Sequence, residues 1–343
     1  MNVLIWGAGA IGGTLGAYFQ RAGHDVLFVD ASREHVDAIN EQGLRITGPI
    51  EEFQVAARAC TPEELAGTFA RILLCVKAHH TRQALPSLVP ALASNGYIAS
   101  IQNGLNEEEI AQVVGRDKVI GAFVNFGADY LEPGVVHFGG RGAVVLGELD
   151  GRMTPRLVDL HALFLHFDKA AITTPNIMGY LWGKLAYGSL LFATALTHDS
   201  IADALARPAY LPLFTAIARE VVRVAEAEGV QPEGFDGFDP AAFGSDAGHD
   251  AAAGSIADLV AFNRKSAKSH SGIWRDLAVR KRKTEVDAQL GAVVRHGRAA
   301  GVPTPLVNQL IALTHEIEDG KRELSADNLH ALLQSHLASQ ARS

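Results

Sequence analysis

The sequence predicts a doubly wound α/β domain followed by a mainly helical one, and three observations carry that prediction. A short apolar run, Val3–Trp6, leads directly into a glycine-rich stretch, Gly7–Gly13, and then into a helical pattern. Apolar segments of strand length alternate with helical ones up to about residue 174. Beyond that point helical periodicity dominates and few strand patterns remain. A length of 343 residues suits two domains at ~100–200 residues each, expected here as 1–174 and 175–343.

Taken in order, Val3–Trp6 has the length of a buried parallel strand, Thr14–Arg21 reads as a helix, and Gly23 stands where a helix-ending glycine belongs. Asp25–Val29 is the second strand and Arg33–Glu41 the second helix, stopping near Gly43. Leu44–Ile46 and Phe53–Ala57 are expected to pair as short strands. Ile72–Val76 and Tyr97–Ile101 are strands, with helices at Leu85–Leu92 and Asn106–Val114. Val119–Asn125 and Val135–Leu146 supply further strand segments around the Pro133–Gly134 turn. The second half carries helical patterns at Ile177–Leu196, Leu211–Glu228, Ile256–Lys268, Lys283–Ala300 and Leu306–Glu316. Residues 231–254, rich in Gly, Asp, Ala and Phe without period, read as a long loop insertion, either a surface excursion or a cover for a substrate. The tail from Ser335 is expected to fray.

Composition narrows the function. Thirty Lys+Arg against 38 Asp+Glu give a formal charge of −8, which argues against a nucleic-acid or anionic-membrane partner. Two cysteines, Cys60 and Cys75, cannot build a disulfide framework or a thiolate zinc site. His79 and His80 are adjacent but lack a supporting ligand cluster, so no metal is expected. No apolar run reaches the ~18 residues of a membrane span, and no basic segment precedes the first apolar run. A cytoplasmic protein is the expectation. Apolar helices such as Leu211–Ala225 pack within the domain or across a homodimer, and the sequence leaves both open.

Gly7, Ala8, Gly9, Ala10, Ile11 and Gly12 form G-x-G-x-x-G after a strand and at the opening of a helix. In that context Gly7 permits the tight turn, Gly9 lets backbone approach a pyrophosphate, and Gly12 lets helix and strand pack closely. The helix N-terminus offers N–H groups and a positive dipole end to the anion. A nicotinamide dinucleotide is favoured because the second half is helical rather than another nucleotide domain. Asp30 ends the second strand where a carboxylate accepts from the ribose hydroxyls of NAD. It would repel a 2′-phosphate by roughly 1–4 kcal/mol at ~4 Å. Arg33 pulls the other way, since a guanidinium there can pair with that phosphate. NADH is therefore favoured, with NADPH left open through Arg33.

Lys77 and Asn103 each follow a strand, at the carboxyl ends that line the ligand crevice of such sheets. Lys184 sits inside the strongly apolar helix YLWGKLAYGSLLFATAL, where an ammonium must reach solvent or be held in a pocket. Glu285 opens the helix TEVDAQLG, with Thr284 as its cap. The basic run Arg280–Lys283 reads as a solvated helix face or a phosphate contact.

Over nearly its whole length the chain resembles the ketopantoate reductase (2-dehydropantoate 2-reductase) family. The likeness rests on Gly7–Gly13, VKAHHT at Val76–Thr81, IQNG at Ile101–Gly104, LWGKLA at Leu181–Ala186, SGIWRDL at Ser271–Leu277, TEVDAQLG at Thr284–Gly291 and GVPTP at Gly301–Pro305. It implies an N-terminal Rossmann-type α/β domain, a mainly α-helical C-terminal domain and an active site in the cleft between them. It also implies NAD(P)H-dependent reduction of a 2-oxo acid to the 2-hydroxy acid, as in the conversion of 2-dehydropantoate to pantoate on the pantothenate route. By that likeness Lys184 matches the general acid and Glu285 the active-site carboxylate, while Lys77 and Asn103 contact the cofactor and help place the substrate.

The chain also departs from the family. Gly188 and Phe192 stand where two substrate asparagines are usual, and Ser271 is adjacent to the place of a substrate serine, which Gly272 occupies. Asp30 replaces the basic residue that favours NADP. Fewer amides, with space at Gly188 and an apolar wall at Phe192, suggest a bulkier, more apolar oxo or hydroxy acid as the alternative substrate. A nucleotide-binding redox sensor without catalysis is the alternative from another class.

Overall fold

The computed structural model describes residues 2–248, 250–265 and 269–341. The chain divides into residues 1–177 and 178–343, three residues beyond the expected boundary.

The first unit runs β1 (Asn2–Trp6), α1 (Ala10–Arg21), β2 (Asp25–Val29), α2 (Arg33–Gln42), β3 (Leu44–Thr47), β4 (Phe53–Val55), β5 (Arg58–Cys60) and β6 (Phe69–Leu74). It continues with α3 (Thr81–Leu88), β7 (Leu92–Ser100), α4 (Asn106–Val114), β8 (Val119–Val124), β9 (Gly127–Glu132), β10 (Val135–Gly140), β11 (Val144–Glu148), α5 (Pro155–Phe164) and β12 (Ile172–Thr173). The large sheet has the order β12-β11-β8-β7-β6-β1-β2-β5. It is parallel except where β11 runs against β8. A second sheet, β4-β3-β10-β9, is built on the β9–β10 hairpin.

Alternation along β1 sorts the core onto two faces. Val3 and Ile5 join Leu15 and Phe19 of α1, Leu160 and Phe164 of α5, and Val136 and Phe138 of the small sheet. Leu4 and Trp6 join Leu85 and Leu88 of α3 and Ile110 of α4 on the other face. Both faces are covered, as a parallel sheet requires. The chain leaves β1 toward β2 on one side and returns through β6 on the other, so the order reverses at β1, where such sheets bind ligands.

The second unit is helical: α6 (Ile177–Thr194), α7 (Ile201–Leu205), α8 (Leu211–Ala227), α9 (Ala251–Lys265), the single turn α10 (Gly272–Trp274), α11 (Val286–Ala300), α12 (Pro305–Glu318) and α13 (Ala326–Gln340). Only Ile177, the first residue of α6, belongs to the first unit.

Several expectations need correction. Helix α1 begins at Ala10, inside the glycine motif, rather than at Thr14. The helix expected at Leu85–Leu92 lies at Thr81–Leu88, because Leu92 already pairs with Phe69 as the start of β7. Helix α5 escaped the sequence reading despite its signals: Thr154 caps it, Pro155 takes its first turn, and Leu157, Leu160, Leu163 and Phe164 are buried at helical spacing. Helix α13 continues past Ser335 to Gln340, its buried Leu329, Leu332 and Leu333 all preceding Ser335 and residues 337–341 exposed, and residues 342–343 lie outside the described ones. The expected helix Ile256–Lys268 starts earlier, at Ala251, and residues 266–268 likewise lie outside.

The 231–254 segment, whose His249 is also outside the described residues, is a packed element for much of its length. Phe235 and Phe238 exchange backbone hydrogen bonds of 3.0 and 2.8 Å across Asp236 and Gly237, both at positive φ. Phe238 packs on Phe243 at 5.6 Å and on Tyr187 of α6 at 5.7 Å between ring centroids. Glu233 donates its backbone N–H to the Gly179 carbonyl, so the strap lies along one face of α6.

Glu220 of α8 holds the start of α12 by accepting from the N–H groups of Leu306 and Val307, each at 2.9 Å. Burial nevertheless pushes its carboxyl up to about 7, outweighing those two bonds. A carboxyl raised in the folded state favours folding below its unfolded pKa and loses that contribution as pH rises through the folded one. Between pH ~4.5 and ~7, wild-type stability should fall by about 2–3 kcal/mol relative to Glu220→Gln. Urea unfolding of both proteins across that range measures the change in the gap.

Candidate functional site

The first half of the site is the turn from β1 into α1. Gly7 has φ +101°, a conformation that L side chains rarely adopt, and a Cβ there would stand 2.8 Å from the Val76 nitrogen. A Cβ on Gly12 would strike the Gly7 carbonyl and the Cys75 side chain. A Cβ on Gly9, by contrast, would meet nothing within 4 Å. Two glycines are thus required by packing, and the third leaves a bare backbone face at the helix start. Gly9 is the N-cap of α1 without a side-chain cap, and no acid occupies the first turn. Uncapped N–H groups beside an open face fit a pyrophosphate.

Two side chains fix the loop. Asp30 accepts from the Ala8 N–H at 2.9 Å through one oxygen and from the Ser32 N–H at 3.0 Å through the other. His35, 1% exposed, lies 2.9 Å from the Ala8 carbonyl through Nε2, while its Nδ1 accepts from the Gly134 N–H at 2.9 Å. An acceptor Nδ1 assigns the ring proton to Nε2, which therefore donates to Ala8. The sequence reading missed His35. It is the third residue of α2, and its two partners lie 27 and 99 residues away in sequence, so no local pattern marks it.

Arg33 is engaged by acidic side chains. Its guanidinium forks Glu64 at 2.7 and 3.1 Å, and Asp37 stands 3.8 Å away. The Arg33 hydrogen bond, with one from the Thr61 N–H, holds the Glu64 carboxyl below its ordinary range. Ser32 caps α2, its side chain accepting from the His35 N–H.

Lys77 and Asn103 occupy neighbouring turns, since β6 and β7 pair in parallel and Leu74 aligns with Ser100. Gln102, also unforeseen, ties the two turns together: its Nε2 donates to the Val76 carbonyl at 2.9 Å and to the Thr81 hydroxyl at 2.8 Å. The Asn106 amide in turn donates to the Asn103 carbonyl at 2.7 Å. Asp30, the glycine loop, Lys77 and Asn103 therefore gather at the carboxyl ends of β1, β2, β6 and β7.

In the second unit Lys184 is half-buried on α6, with Leu185, Ala186 and Trp182 buried around it. Helices α6 and α11 run antiparallel, because Trp182 faces His296 at 5.5 Å while Gly188 faces Gln289. Lys184 is one turn before Gly188 on α6, and Glu285 one turn before Gln289, at the N-cap position of α11. The Gly188 notch is not bare, for a Cβ there would stand 3.6 Å from Gln289 Oε1. Phe192 is 1% exposed and belongs to the packed interior, which corrects the expectation of a substrate wall. Ser271 is buried, and its hydroxyl caps α10 by accepting from the Trp274 N–H at 3.1 Å. Thr284 donates to Glu318 at 2.6 Å and accepts from Val286. Arg280 and Arg282 donate to buried Asp276, at 3.0 and 2.9 Å, while Arg280–Lys283 remain exposed. Among the described residues no His, Cys, Asp and Glu cluster suits a metal, and no helix is long and apolar enough to cross a membrane.

Loop, sheet and helical unit together define a dinucleotide-binding oxidoreductase. The profile of ketopantoate reductase PanE/ApbA matches residues 3–151, and that of its C-terminal region matches residues 176–318. The chain belongs to the ketopantoate reductase family. It is 28% identical to the 2-dehydropantoate 2-reductase of Archaeoglobus fulgidus, over 93% of this chain and 98% of that one. It superposes on the PanE/ApbA family ketopantoate reductase of Ralstonia eutropha with a TM-score of 0.79 at 29% identity, over 93% of this chain and 99% of that one. D-mandelate dehydrogenase, in a complex with NADH and anilino(oxo)acetate, shares the fold, with a TM-score of 0.79 at 23% identity over 93% of this chain and 99% of that one.

His35→Ala removes two buried hydrogen bonds from the loop. Thermal unfolding should record a loss of about 1–3 kcal/mol. Titration calorimetry should show the nicotinamide nucleotide binding about 10-fold more weakly; unchanged affinity would separate His35 from the loop's function.

Proposed function

We propose that this chain reduces a 2-oxo acid to the 2-hydroxy acid with a nicotinamide nucleotide, and that 2-dehydropantoate, the compound named for its relatives, is its substrate. The observation that carries this is the bare Gly9 face at the start of α1, held open by Asp30 and His35, in a chain whose family match continues through the helix bearing Lys184. The bound reduced nucleotide supplies the hydride. Uncapped N–H groups of α1 bind its pyrophosphate, and Asp30 accepts from its adenosine ribose. Lys77 and Asn103, on adjoining turns, contact the cofactor and help place the oxo acid.

Hydride arriving at a carbonyl carbon leaves negative charge on oxygen. The Lys184 ammonium stabilises that charge and delivers the proton that completes the alcohol. Its half-buried setting on an apolar helix strengthens the interaction relative to open water. Glu285 binds the substrate from the α11 side, and the Ser271 hydroxyl, whose oxygen caps α10, keeps its proton for a substrate oxygen.

NADH is the preferred nucleotide in this reading. Asp30 presents a carboxylate at the ribose, and the nearest guanidinium, Arg33, is forked by Glu64. A 2′-phosphate would meet the Asp30 carboxylate and a guanidinium already shared by Glu64 and Asp37.

Lys184→Ala should lower kcat for oxo-acid reduction by ~10²–10⁴ while leaving nucleotide affinity within a factor of about two. Intact turnover would remove the acid role. Asp30→Ala should shift the NADH:NADPH ratio of kcat/KM toward NADPH by about 10-fold or more, as initial rates with each nucleotide will show.

A further inference from the structure

The Gly188 notch and the side chain that borders it carry a further inference, which rests on the reaction reading above and names the group that chooses the substrate. We propose that Gln289 is the substrate-recognition amide of this protein and that it hydrogen-bonds a hydroxyl on the substrate's far end.

Four residues fall in series along the antiparallel pair α6 and α11. Lys184 lies one turn to one side of the Gly188–Gln289 crossing, and Glu285 lies one turn to the other. At 5.4 Å per turn, the backbones of Lys184 and Glu285 stand about 11 Å apart along the pair, with Gln289 between them. A small oxo acid contacting the ammonium thus extends past Gln289 before it reaches the carboxylate.

The chemistry along this series has a direction. Lys184 has only protons to give, so it takes the ketone oxygen or another acceptor. The Gln289 carboxamide borders the notch and can accept from or donate to a hydroxyl, and the Glu285 carboxylate offers acceptors. A ketone or carboxylate has no proton for Glu285; a hydroxyl does, and it can pair with the Gln289 amide through either of its ends. The series therefore suits a molecule with acceptors at one end and a hydroxyl at the other, which describes a hydroxylated 2-oxo acid. Among the described residues no protein group hydrogen-bonds the Gln289 carboxamide, which is half-buried and stays available for a ligand. A side chain at position 188 would fill the space in front of Oε1, and glycine leaves it open. The absence of an amide at 188 is thus no sign of an apolar site, because the amide arrives from the facing helix.

A matched pair of substrates tests this: 2-dehydropantoate and 3,3-dimethyl-2-oxobutanoate, which differ only by the terminal hydroxyl. Gln289→Leu should lower kcat/KM for 2-dehydropantoate by about 10-fold or more and leave the deoxy acid within about threefold. Nucleotide affinity should not change. Gln289→Ala should give the same selective loss and covers the event that leucine disturbs folding. Equal losses on both acids, or no loss on either, would overturn the assignment while leaving the reductase reading intact. A wild-type enzyme inactive on both acids would overturn that reading and this inference with it.

Discussion

The Ala8 peptide is the constraint on which the nucleotide-binding half depends. Its N–H is taken by Asp30 and its carbonyl by His35, so the backbone on either side cannot rotate away from the path that leaves Gly9 exposed. Both ring nitrogens of His35 are committed, but Asp30 is not spent. A carboxylate offers about four lone-pair sites, and Asp30 uses two of them, on Ala8 and Ser32, keeping capacity for ribose hydroxyls. His35 is locked in turn by Gly134 at the tip of the β9–β10 hairpin. The small sheet is therefore part of the binding loop's support, and the loop's shape is set before any ligand arrives. Ordering a glycine-rich turn in advance removes an entropy cost that binding would otherwise carry.

Charge around the ribose end follows the same economy. An isolated Arg33 would be the natural partner of a 2′-phosphate, yet Glu64 matches its fork with two oxygens and also accepts from the Thr61 backbone. To serve a phosphate, Arg33 would have to leave that arrangement while Asp30 still faced the incoming anion. Both Arg33 and Glu64 are exposed, so the pair adds little to stability. Its consequence lies in the local sign of charge rather than in folding energy.

Much of this was legible in the sequence, for reasons that also mark the limits. Strand β2 and helix α4 fall at their expected residues, because a short apolar run and a helical pattern are local signals. The glycine loop was legible because a tight turn, a bare face and a close helix contact each demand glycine at fixed spacing. What escaped depends on contacts across the chain. His35 and Gly134 are 99 residues apart, and nothing local marks the imidazole as the loop's brace. The 231–254 segment looked structureless because its order comes from phenylalanines packing on Tyr187 rather than from periodicity. Phe192 was read as a pocket wall because a helix position alone does not say which of its neighbours is solvent.

Gln289 shows the same limit from the functional side. Read along one helix, Gly188 marks a missing polar group. Two helices in contact, however, have axes about 8–10 Å apart, and an extended glutamine side chain spans much of that distance. A functional amide therefore need not sit on the helix that carries the ammonium; it can stand on the facing one, provided the position opposite is small enough to admit it. Glycine at 188 and glutamine at 289 satisfy the two halves of that condition, and neither is informative without the other. The polarity of this part of the site belongs to the helix pair, and a sequence read one element at a time cannot register it.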